Sequence, residues 1–173
     1  TVKGLERAGA GAVQLEDQTF PKRCGHIRGK GVIPVAEMVG KVRAAVDARS
    51  ETLIIGRTDA LGVEGPEAAL DRAEAYLEAG ADIVFVEGPR TLDETRAVAE
   101  RFAARVPLVH NLVEGGITAV RTGAELQALG FAIALHPMLL LHGLARYAPE
   151  WLGKLRADGT TDGLDILDLP RLN

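Results

Sequence analysis

Five short apolar runs recur along the chain, and longer amphipathic segments separate them. Each run has five or six residues rich in Val, Ile or Leu, at 11–16, 52–56, 82–87, 107–112 and 131–135. Apolar residues along the whole length of a run are typical of parallel strands covered on both faces. Between the runs the sequence predicts helices at 35–48, 66–79, 92–105, 123–129 and 138–155, with Pro149 as a point of interruption in the last. The alternation predicts a parallel α/β architecture, which a doubly wound sheet and a (β/α)₈ barrel both satisfy.

Three glycines occupy the same kind of position, where a predicted helix stops shortly before a strand begins. Gly9 and Gly80 each stand between two alanines, and each precedes a glutamate by seven residues. Gly130 occupies the corresponding place before the fifth run. Glycine is the preferred residue just after a helix because it adopts a left-handed conformation without strain. The repeat therefore favours successive βα units.

Polar side chains gather where the predicted strands end, and this favours the barrel. They are Glu16, Asp17, Arg57, Thr58, Asp59, Glu87, His110, Asn111 and His136. In a barrel the carboxyl ends of all strands face one mouth, where active sites lie. Alternatively, these residues could be helix N-caps and loop side chains, which any parallel fold needs there. A complete barrel has eight strands in about 250 residues, so we expect three N-terminal βα units to be missing from this sequence.

Composition narrows the function classes. The 173 residues carry a net charge of −4 with both signs interspersed, and no basic stripe indicates a nucleic-acid partner. No apolar run approaches the roughly 18 residues of a membrane span, and a single cysteine fits a reducing, cytoplasmic setting. We expect one domain at 1–155, the C-terminal part of a barrel, followed by a tail at 156–173 that docks on another surface.

The segment 17–31 is the part of the sequence most typical of an active-site loop. Cys24 lies there beside Lys22, Arg23 and His26, and nearby positive charge favours the reactive thiolate. The thiol could act as a nucleophile or as a proton donor and acceptor. A loop cysteine without chemistry is the alternative. Glycines near the end of the loop and its basic residues indicate a mobile segment that grasps an anion.

The metal-ligating residue types suit a hard cation better than zinc. The four histidines are spread along the chain, and no two stand one helical turn apart, so a zinc site is not expected. The acids Glu16, Asp17 and Glu87 at strand ends are oxygen ligands of the kind that Mg²⁺ prefers. Ion pairs with nearby lysines and arginines are the alternative role for these acids.

Several motifs, in order along the chain, resemble the isocitrate lyase/phosphoenolpyruvate mutase superfamily. They are EDQTFPKRCGH at 16–26, GRTDA at 56–60, VEG at 63–65, EAGAD at 78–82 with VE at 86–87, and NLVEGG at 111–116. The resemblance covers residues 1–155 and is nearest to the methylisocitrate-lyase-like and carboxyphosphonoenolpyruvate-mutase-like branch. It implies a (β/α)₈ TIM-type barrel of the phosphoenolpyruvate/pyruvate type, assembled as a homotetramer that exchanges its last helix between subunits.

The resemblance also implies a chemistry. It is that of a Mg²⁺-dependent lyase, which cleaves or forms a C–C bond in a small 2-hydroxy or 2-oxo di- or tricarboxylic acid through an enolate intermediate. By position, Cys24 would be the general acid/base that protonates the enolate. Lys22, Gly25 and His26 would belong to the same loop and contact the substrate or stabilise the anion.

Other matched positions would form the pocket. Arg57 would clamp a substrate carboxylate with two hydrogen bonds. Glu16 would support Mg²⁺ through a water molecule, and Glu87 and Asn111 would line the pocket. The family's main metal ligands are aspartates on earlier strands, which this sequence lacks. The chain as given is therefore expected to bind Mg²⁺ poorly.

Three alternatives remain open. An oxaloacetate hydrolase or decarboxylase and a carboxyphosphonoenolpyruvate-mutase-like enzyme belong to the same superfamily. Arg23 favours the carboxyphosphonoenolpyruvate-mutase-like and the broad-specificity lyase members, because isocitrate and methylisocitrate lyases more often have Lys there. A truncated, non-catalytic relative is a reading of another class. The absent metal strands favour it, whereas the intact Cys24 loop, Arg57 and Glu87 argue against it.

Overall fold

The computed structural model of the protein describes residues 1–24, 29–167 and 171. Its strands are β1 (Ala12–Glu16), β2 (Leu53–Thr58), β3 (Ile83–Val86), β4 (Val109–Asn111) and β5 (Ile133–Leu135). Its helices are α1 (Val2–Arg7), α2 (Val35–Ala48), α3 (Pro66–Glu78), α4 (Leu92–Phe102), α5 (Gly123–Ala128) and α6 (Leu139–Asp158), and a 3₁₀ turn spans Ala60–Gly62. The chain divides into two compact units, residues 1–136 and 137–173. That α6 belongs with a barrel domain ending at residue 155 stays a prediction.

The strands of the first unit run parallel and follow one another in chain order. β1 pairs with β2, β2 with β3, and β4 with β5. A single parallel bridge between Val84 and Leu108 joins β3 to the residue before β4. A doubly wound sheet reverses its strand order at a switch point, and no such reversal occurs among the described strands. The order agrees with a barrel segment, and the complete (β/α)₈ barrel stays a prediction.

The predicted pattern of strands and helices is confirmed, with one error. Gly9, Gly80 and Gly130 have φ of 90°, 103° and 94°, the left-handed region in which a helix commonly ends. The predicted interruption at Pro149 is wrong, because α6 continues through that residue. A proline inside a helix removes one backbone hydrogen bond, and here that loss does not end the helix.

The two faces of the sheet pack differently. One face meets the helices, and Gly56 lets α3 approach β2 closely: a Cβ at this position would lie 3.1 Å from Cβ of Tyr76. The other face carries a small apolar cluster that contains Ile55, Ile83, Phe85 and Val109. Since side chains alternate along a strand, Arg57 points to the same side as Ile55. This small cluster forms the floor beneath the strand-end polar residues.

The second unit is dominated by α6. The helix ends at Gly159, which has a φ of 69°, and the rings of Tyr147 and Trp151 stack with centroids 5.9 Å apart. Large apolar side chains of the helix are exposed, namely Leu139, Leu140, Leu141, Leu144, Leu152 and Leu155. Among the residues that the structure describes, no helix has both the length and the apolar character that crossing a bilayer requires.

Candidate active site

Arg57 lies among three carboxylates at the carboxyl ends of β1, β2 and β3. We call Arg57 with Glu16, Asp59 and Glu87 the Arg57 cluster. The parallel register sets Glu16 directly opposite Arg57. Nε of Arg57 is 2.9 Å from Oδ2 of Asp59, whereas its Nη2 is 3.9 Å from Oε1 of Glu16 and 3.7 Å from Oε2 of Glu87. One edge of the guanidinium is thus held by Asp59, and Nη2 faces carboxylates beyond hydrogen-bond length.

Glu87 and Asn111 form the side of the cluster toward β4. Glu87 is almost fully buried, and Nδ2 of Asn111 donates a hydrogen bond of 2.9 Å to Oε2 of Glu87. Oδ1 of Asn111 is buried, and no described residue gives it a hydrogen bond. A buried acceptor without a donor is costly, so this oxygen suits a hydroxyl group or a water molecule. Beneath them, Cζ of Arg57 lies 4.9 Å from the centroid of the Phe85 ring, a cation–π contact.

Two lysines balance the charge of the Arg57 cluster. Nζ of Lys22 is 3.1 Å from Oε2 of Glu16, and Nζ of Lys30 is 2.7 Å from Oδ1 of Asp59. Lys22 keeps 38% of its side chain exposed, whereas Lys30 keeps 5%. With Arg57 the lysines supply three positive charges against three carboxylates. Among the described residues of this assembly the charges therefore balance.

The opposite charges of the cluster stabilise the ionised forms of Arg57 and Asp59. Burial by itself lowers the pKa of Arg57, but the charges of Glu87 and Asp59 outweigh burial and raise that pKa above its ordinary value. Burial likewise raises the pKa of Asp59, and the hydrogen bonds and charges of Arg57 and Lys30 overcome it and hold the pKa of Asp59 below its ordinary value. Arg57 and Asp59 are thus both charged at neutral pH.

A second polar cluster lies on the helix side of the same strands, and we call it the Asp17 cluster. Asp17 is fully buried and accepts hydrogen bonds from Thr58 Oγ1 at 2.7 Å, Tyr76 Oη at 2.7 Å and the Asp59 backbone N–H at 2.9 Å. Arg72 Nη1 is 3.4 Å from Asp17 and also donates to the Ile33 carbonyl at 2.9 Å. The predicted role of Asp17 as an acid suited to Mg²⁺ finds no support, since protein donors surround this carboxylate.

Cys24 stands in a loop whose ends are tied to β1. The side-chain amide of Gln18 donates to the Arg23 carbonyl at 2.9 Å and accepts from the Arg23 N–H at 2.5 Å. The same amide donates to Glu16 at 2.9 Å, so the residue before Cys24 is linked to the Arg57 cluster. Cys24 itself is exposed. Two predicted site residues of the loop, Gly25 and His26, lie outside the described residues.

The described residues do not complete a magnesium site. They contain no group of three or more His, Cys, Asp or Glu side chains that could hold a metal ion. Glu16, the predicted supporter of Mg²⁺, already contacts Lys22 and accepts from Gln18. One carboxylate with these partners can assist a cation, but it cannot hold one alone.

A cavity of about 170 Å³ opens at the carboxyl ends of β4 and β5. Its walls include Leu112 and Val113, which follow Asn111, and an ion pair of 3.1 Å between Glu114 Oε1 and His136 Nδ1. The cavity combines apolar and charged walls. The cavity lies beyond the ends of β4 and β5. β4 is the neighbour of β3, and β3 is the last strand that contributes a residue to the Arg57 cluster.

The structure brings together four of the predicted site residues, Glu16, Arg57, Glu87 and Asn111, and attaches Lys22 to them. It adds two that sequence reasoning did not single out for the site, Lys30 and Gln18, and it gives Asp59 a central place. The GRTDA motif and the strand-end rule pointed to Asp59. Nothing local marks Lys30, because its partner is 29 residues away in the sequence.

A family model described as phosphoenolpyruvate phosphomutase matches residues 1–147, more than four-fifths of the chain. The chain belongs to this family. The predicted membership of the isocitrate lyase/phosphoenolpyruvate mutase superfamily is thereby confirmed. All the strand-end residues of the Arg57 cluster lie within the matched part of the family model.

Similar proteins of the family differ in their chemistry. A 2-methylisocitrate lyase of Aeropyrum pernix is 45% identical, with 97% of this chain and 53% of the relative covered. A structure of oxaloacetate acetylhydrolase with 3,3-difluorooxalacetate superposes with a TM-score of 0.90 at 35% identity, over 99% of this chain and 59% of the other. A phosphonopyruvate hydrolase solved with oxalate and Mg²⁺ has a TM-score of 0.79 at 28% identity, over 99% and 60%. This family member spans little more than half the length of such relatives.

Proposed function

We propose that the protein is a carbon–carbon lyase that acts on a small 2-hydroxy or 2-oxo di- or tricarboxylic acid. The observation that carries the proposal is the Arg57 cluster at the strand ends, with the loop of Cys24 tied to it. Relatives named as 2-methylisocitrate lyases support the same class of substrate. In this proposal the described strands are part of a (β/α)₈ barrel, and the cluster lies at its mouth.

Arg57 is the proposed clamp for a substrate carboxylate. Its Nε is engaged by Asp59, and its Nη2 faces the centre of the cluster at 3.7 Å or more from Glu16 and Glu87. A planar guanidinium binds a carboxylate with two parallel hydrogen bonds. Asn111 Oδ1 would accept from a substrate hydroxyl, and Glu87 would hold the amide in that orientation.

Cys24 is the proposed general acid/base. Cleavage of the C–C bond leaves an enolate on one fragment, and a positioned thiol would donate the proton that this carbon needs. Lys22, Gly25 and His26 of the same loop would contact the substrate or stabilise the negative charge. The Gln18 amide, which grips Arg23 on both its backbone groups, would set the position from which Cys24 reaches the substrate.

Mg²⁺ and a homotetramer are further parts of the proposal. A related hydrolase holds Mg²⁺ with oxalate. In this protein Glu16 would assist the cation through water, and the other ligands would have to come from groups outside the described residues. Exposed leucines of α6 support a helix that docks on a neighbouring subunit. A cytoplasmic location is proposed with these.

Hydrolysis of oxaloacetate is the second candidate. An oxaloacetate acetylhydrolase structure shares the fold at a TM-score of 0.90, and the same clamp and loop could serve water attack on a 2-oxo acid. A carboxyvinyl-carboxyphosphonate phosphorylmutase of Arabidopsis thaliana is 41% identical, which keeps the mutase-like reading as a variant. A non-catalytic role would leave the Arg57 cluster without a ligand.

The test is proton NMR of the full-length gene product with Mg²⁺ and isocitrate, 2-methylisocitrate, dimethylmalate or oxaloacetate. A lyase converts one hydroxy acid to glyoxylate or pyruvate with a partner acid, EDTA stops the reaction, and Cys24→Ser abolishes it. Change in oxaloacetate alone selects the second candidate. No change in any acid, or normal turnover by Cys24→Ser, contradicts the lyase or the role of its thiol.

A further inference from the structure

Among the described cations of the Arg57 cluster and its lysine partners, Lys30 is the most deeply buried. Its side chain is 5% exposed, compared with 13% for Arg57 and 38% for Lys22. Burying an ammonium group is unfavourable unless a well-placed carboxylate compensates it, and Asp59 does so at 2.7 Å. A lysine on a surface loop would ordinarily keep its charge in water. Its burial here indicates a specific role.

Asp59 connects Lys30 to Arg57. Its Oδ1 accepts from Lys30 at 2.7 Å, and its Oδ2 accepts from Nε of Arg57 at 2.9 Å. The backbone N–H of Asp59 is held in turn by Asp17 at 2.9 Å. Both carboxylate oxygens and the backbone N–H of Asp59 are therefore held by hydrogen bonds. Any shift of Lys30 is transmitted through Asp59 to the edge of the guanidinium.

The chain around the 3₁₀ turn leaves room for the lysine. A Cβ at Gly62 would lie 3.3 Å from Cε and 3.6 Å from Nζ of Lys30. A larger residue at this position would press on the buried ammonium group. The turn that follows β2 thus accepts the Lys30 side chain beside Asp59.

We propose that Lys30 is a positioning residue, which fixes Asp59 and through it aims the Arg57 guanidinium at the carboxylate of the substrate. The inference rests on the proposed role of Arg57 as the carboxylate clamp. Lys30 also belongs to the return of the Cys24 loop, where the Gly31 carbonyl accepts from the Thr19 N–H at 2.9 Å. The same ion pair therefore ties the loop to the clamp.

Removing Lys30 changes charge and orientation together. The substitution removes one positive charge from the surroundings of Arg57, which disfavours an anionic ligand at short range. Asp59 then keeps its hydrogen bond to Arg57, and without Lys30 to oppose it the carboxylate draws the guanidinium away from the ligand. Both effects weaken binding of a dicarboxylate, whereas a residue that merely supports the fold would lower stability without changing affinity.

Lys30→Met and Lys41→Met in the full-length protein form a matched pair. Lys41 makes an exposed ion pair of 2.7 Å with Glu37 on α2, away from the cluster. Calorimetry measures the affinity of oxalate, a planar dicarboxylate that resembles an enolate of a 2-oxo acid, in the presence of Mg²⁺. We expect Lys30→Met to weaken oxalate binding about tenfold. We expect the KM for the acid substrate to rise by a similar factor, with kcat within about threefold of the parent value. We also expect trypsin to cleave after Arg23 at least about threefold faster, and Lys41→Met to match the parent throughout.

The outcomes separate this proposal from the proposed function. A folded Lys30→Met protein with the parent's oxalate affinity overturns the positioning role. If the parent does not bind oxalate, the clamp function fails, and the cleavage rate after Arg23 alone decides whether Lys30 ties the loop. An unchanged rate then overturns that part too. If Lys30→Met does not fold, Gly62→Ala replaces it. We expect about threefold weaker oxalate binding from that variant, and no change overturns the proposal.

Discussion

The dipeptides Glu16-Asp17 and Arg57-Thr58 each give one residue to the Arg57 cluster and one to the Asp17 cluster. Because successive side chains of a strand point to opposite faces, Glu16 and Arg57 turn to the strand-end mouth, and Asp17 and Thr58 turn to the helices. The Asp17 cluster is one carboxylate among donors. The Arg57 cluster is one guanidinium among carboxylates, and beside it lies the Asn111 amide oxygen, to which no described residue donates a hydrogen bond.

This difference separates a structural network from a binding site. Asp17 has four protein donors within 3.4 Å, so nothing remains for a ligand to supply. Arg57 has one short hydrogen bond to a carboxylate and two longer contacts of 3.7 and 3.9 Å. A site that must bind and release a ligand needs groups that are oriented but incompletely satisfied. We therefore expect the Asp17 cluster to govern stability and the Arg57 cluster to govern activity.

The largest expected effect is on stability, from Asp17→Ala. The substitution leaves the hydroxyls of Thr58 and Tyr76 and the Asp59 N–H without their buried acceptor. We expect a loss of about 3–5 kcal/mol in the free energy of unfolding, measured by urea denaturation of the full-length protein. The control is Asp71→Ala, which removes an exposed surface partner of Arg101 and should leave stability near the parent value. Equal effects of the two substitutions would contradict a structural role for the Asp17 cluster.

The alternation of parallel strands and helices could be predicted from the sequence because its signals are local. Apolar runs, amphipathic helices and the glycines at 9, 80 and 130 each describe a few neighbouring residues, and the structure places the strands within a residue or two of the prediction. The division of labour at the strand ends was only partly predictable. Glu16 and Asp17 are adjacent acids with the same local signal, and only the pairing of β1 with β2 decides which faces the mouth.

Lys30 shows the same limit more sharply. Within its loop it is one of several basic residues, and the sequence indicates only that such a loop grasps an anion. Its burial depends on Asp59, 29 residues away, and on the space that Gly62 leaves. Contacts of this kind arise from tertiary packing, so neither propensity nor spacing reveals them.

The next effect is on activity, from Arg57→Lys. The variant keeps a positive charge among the carboxylates but loses the planar fork that grips a carboxylate. We expect kcat/KM for the acid substrate to fall about 100-fold, close to 2.7 kcal/mol of transition-state stabilisation, with unfolding midpoints near the parent's. Arg105→Lys is the matched control, because Arg105 donates two hydrogen bonds to one carboxylate, that of Glu74, on the surface. If Arg57→Lys lost stability as well as activity while Arg105→Lys kept its stability, the Arg57 cluster would also support the fold. The distinction between the two clusters would then fail.

The smallest effect is on the pH dependence of stability. The Asp17 cluster is expected to lose stability at high pH, and the Arg57 cluster at low pH. Burial and the charge of Asp17 raise the pKa of Tyr76 above its ordinary value, so the stability that neutral Tyr76 contributes is complete below about pH 10. It is lost as the pH rises through the elevated pKa, because the unfolded chain releases this proton first. For Asp59, whose pKa is lowered, the contribution is instead lost as the pH falls below about 4.

Tyr76→Phe tests the alkaline limb. The variant should be less stable than the parent by about 1–2 kcal/mol at pH 8, because Asp17 loses a donor. Since phenylalanine has no proton to release, the gap should narrow at each step from pH 10 upward in urea denaturation. Tyr147→Phe, at a half-exposed position of α6, provides the control and should keep the parent's pH profile. A gap between parent and Tyr76→Phe that stays constant with pH would mean that the Asp17 cluster does not hold Tyr76 in its neutral form, and that its hydrogen bond contributes to packing alone.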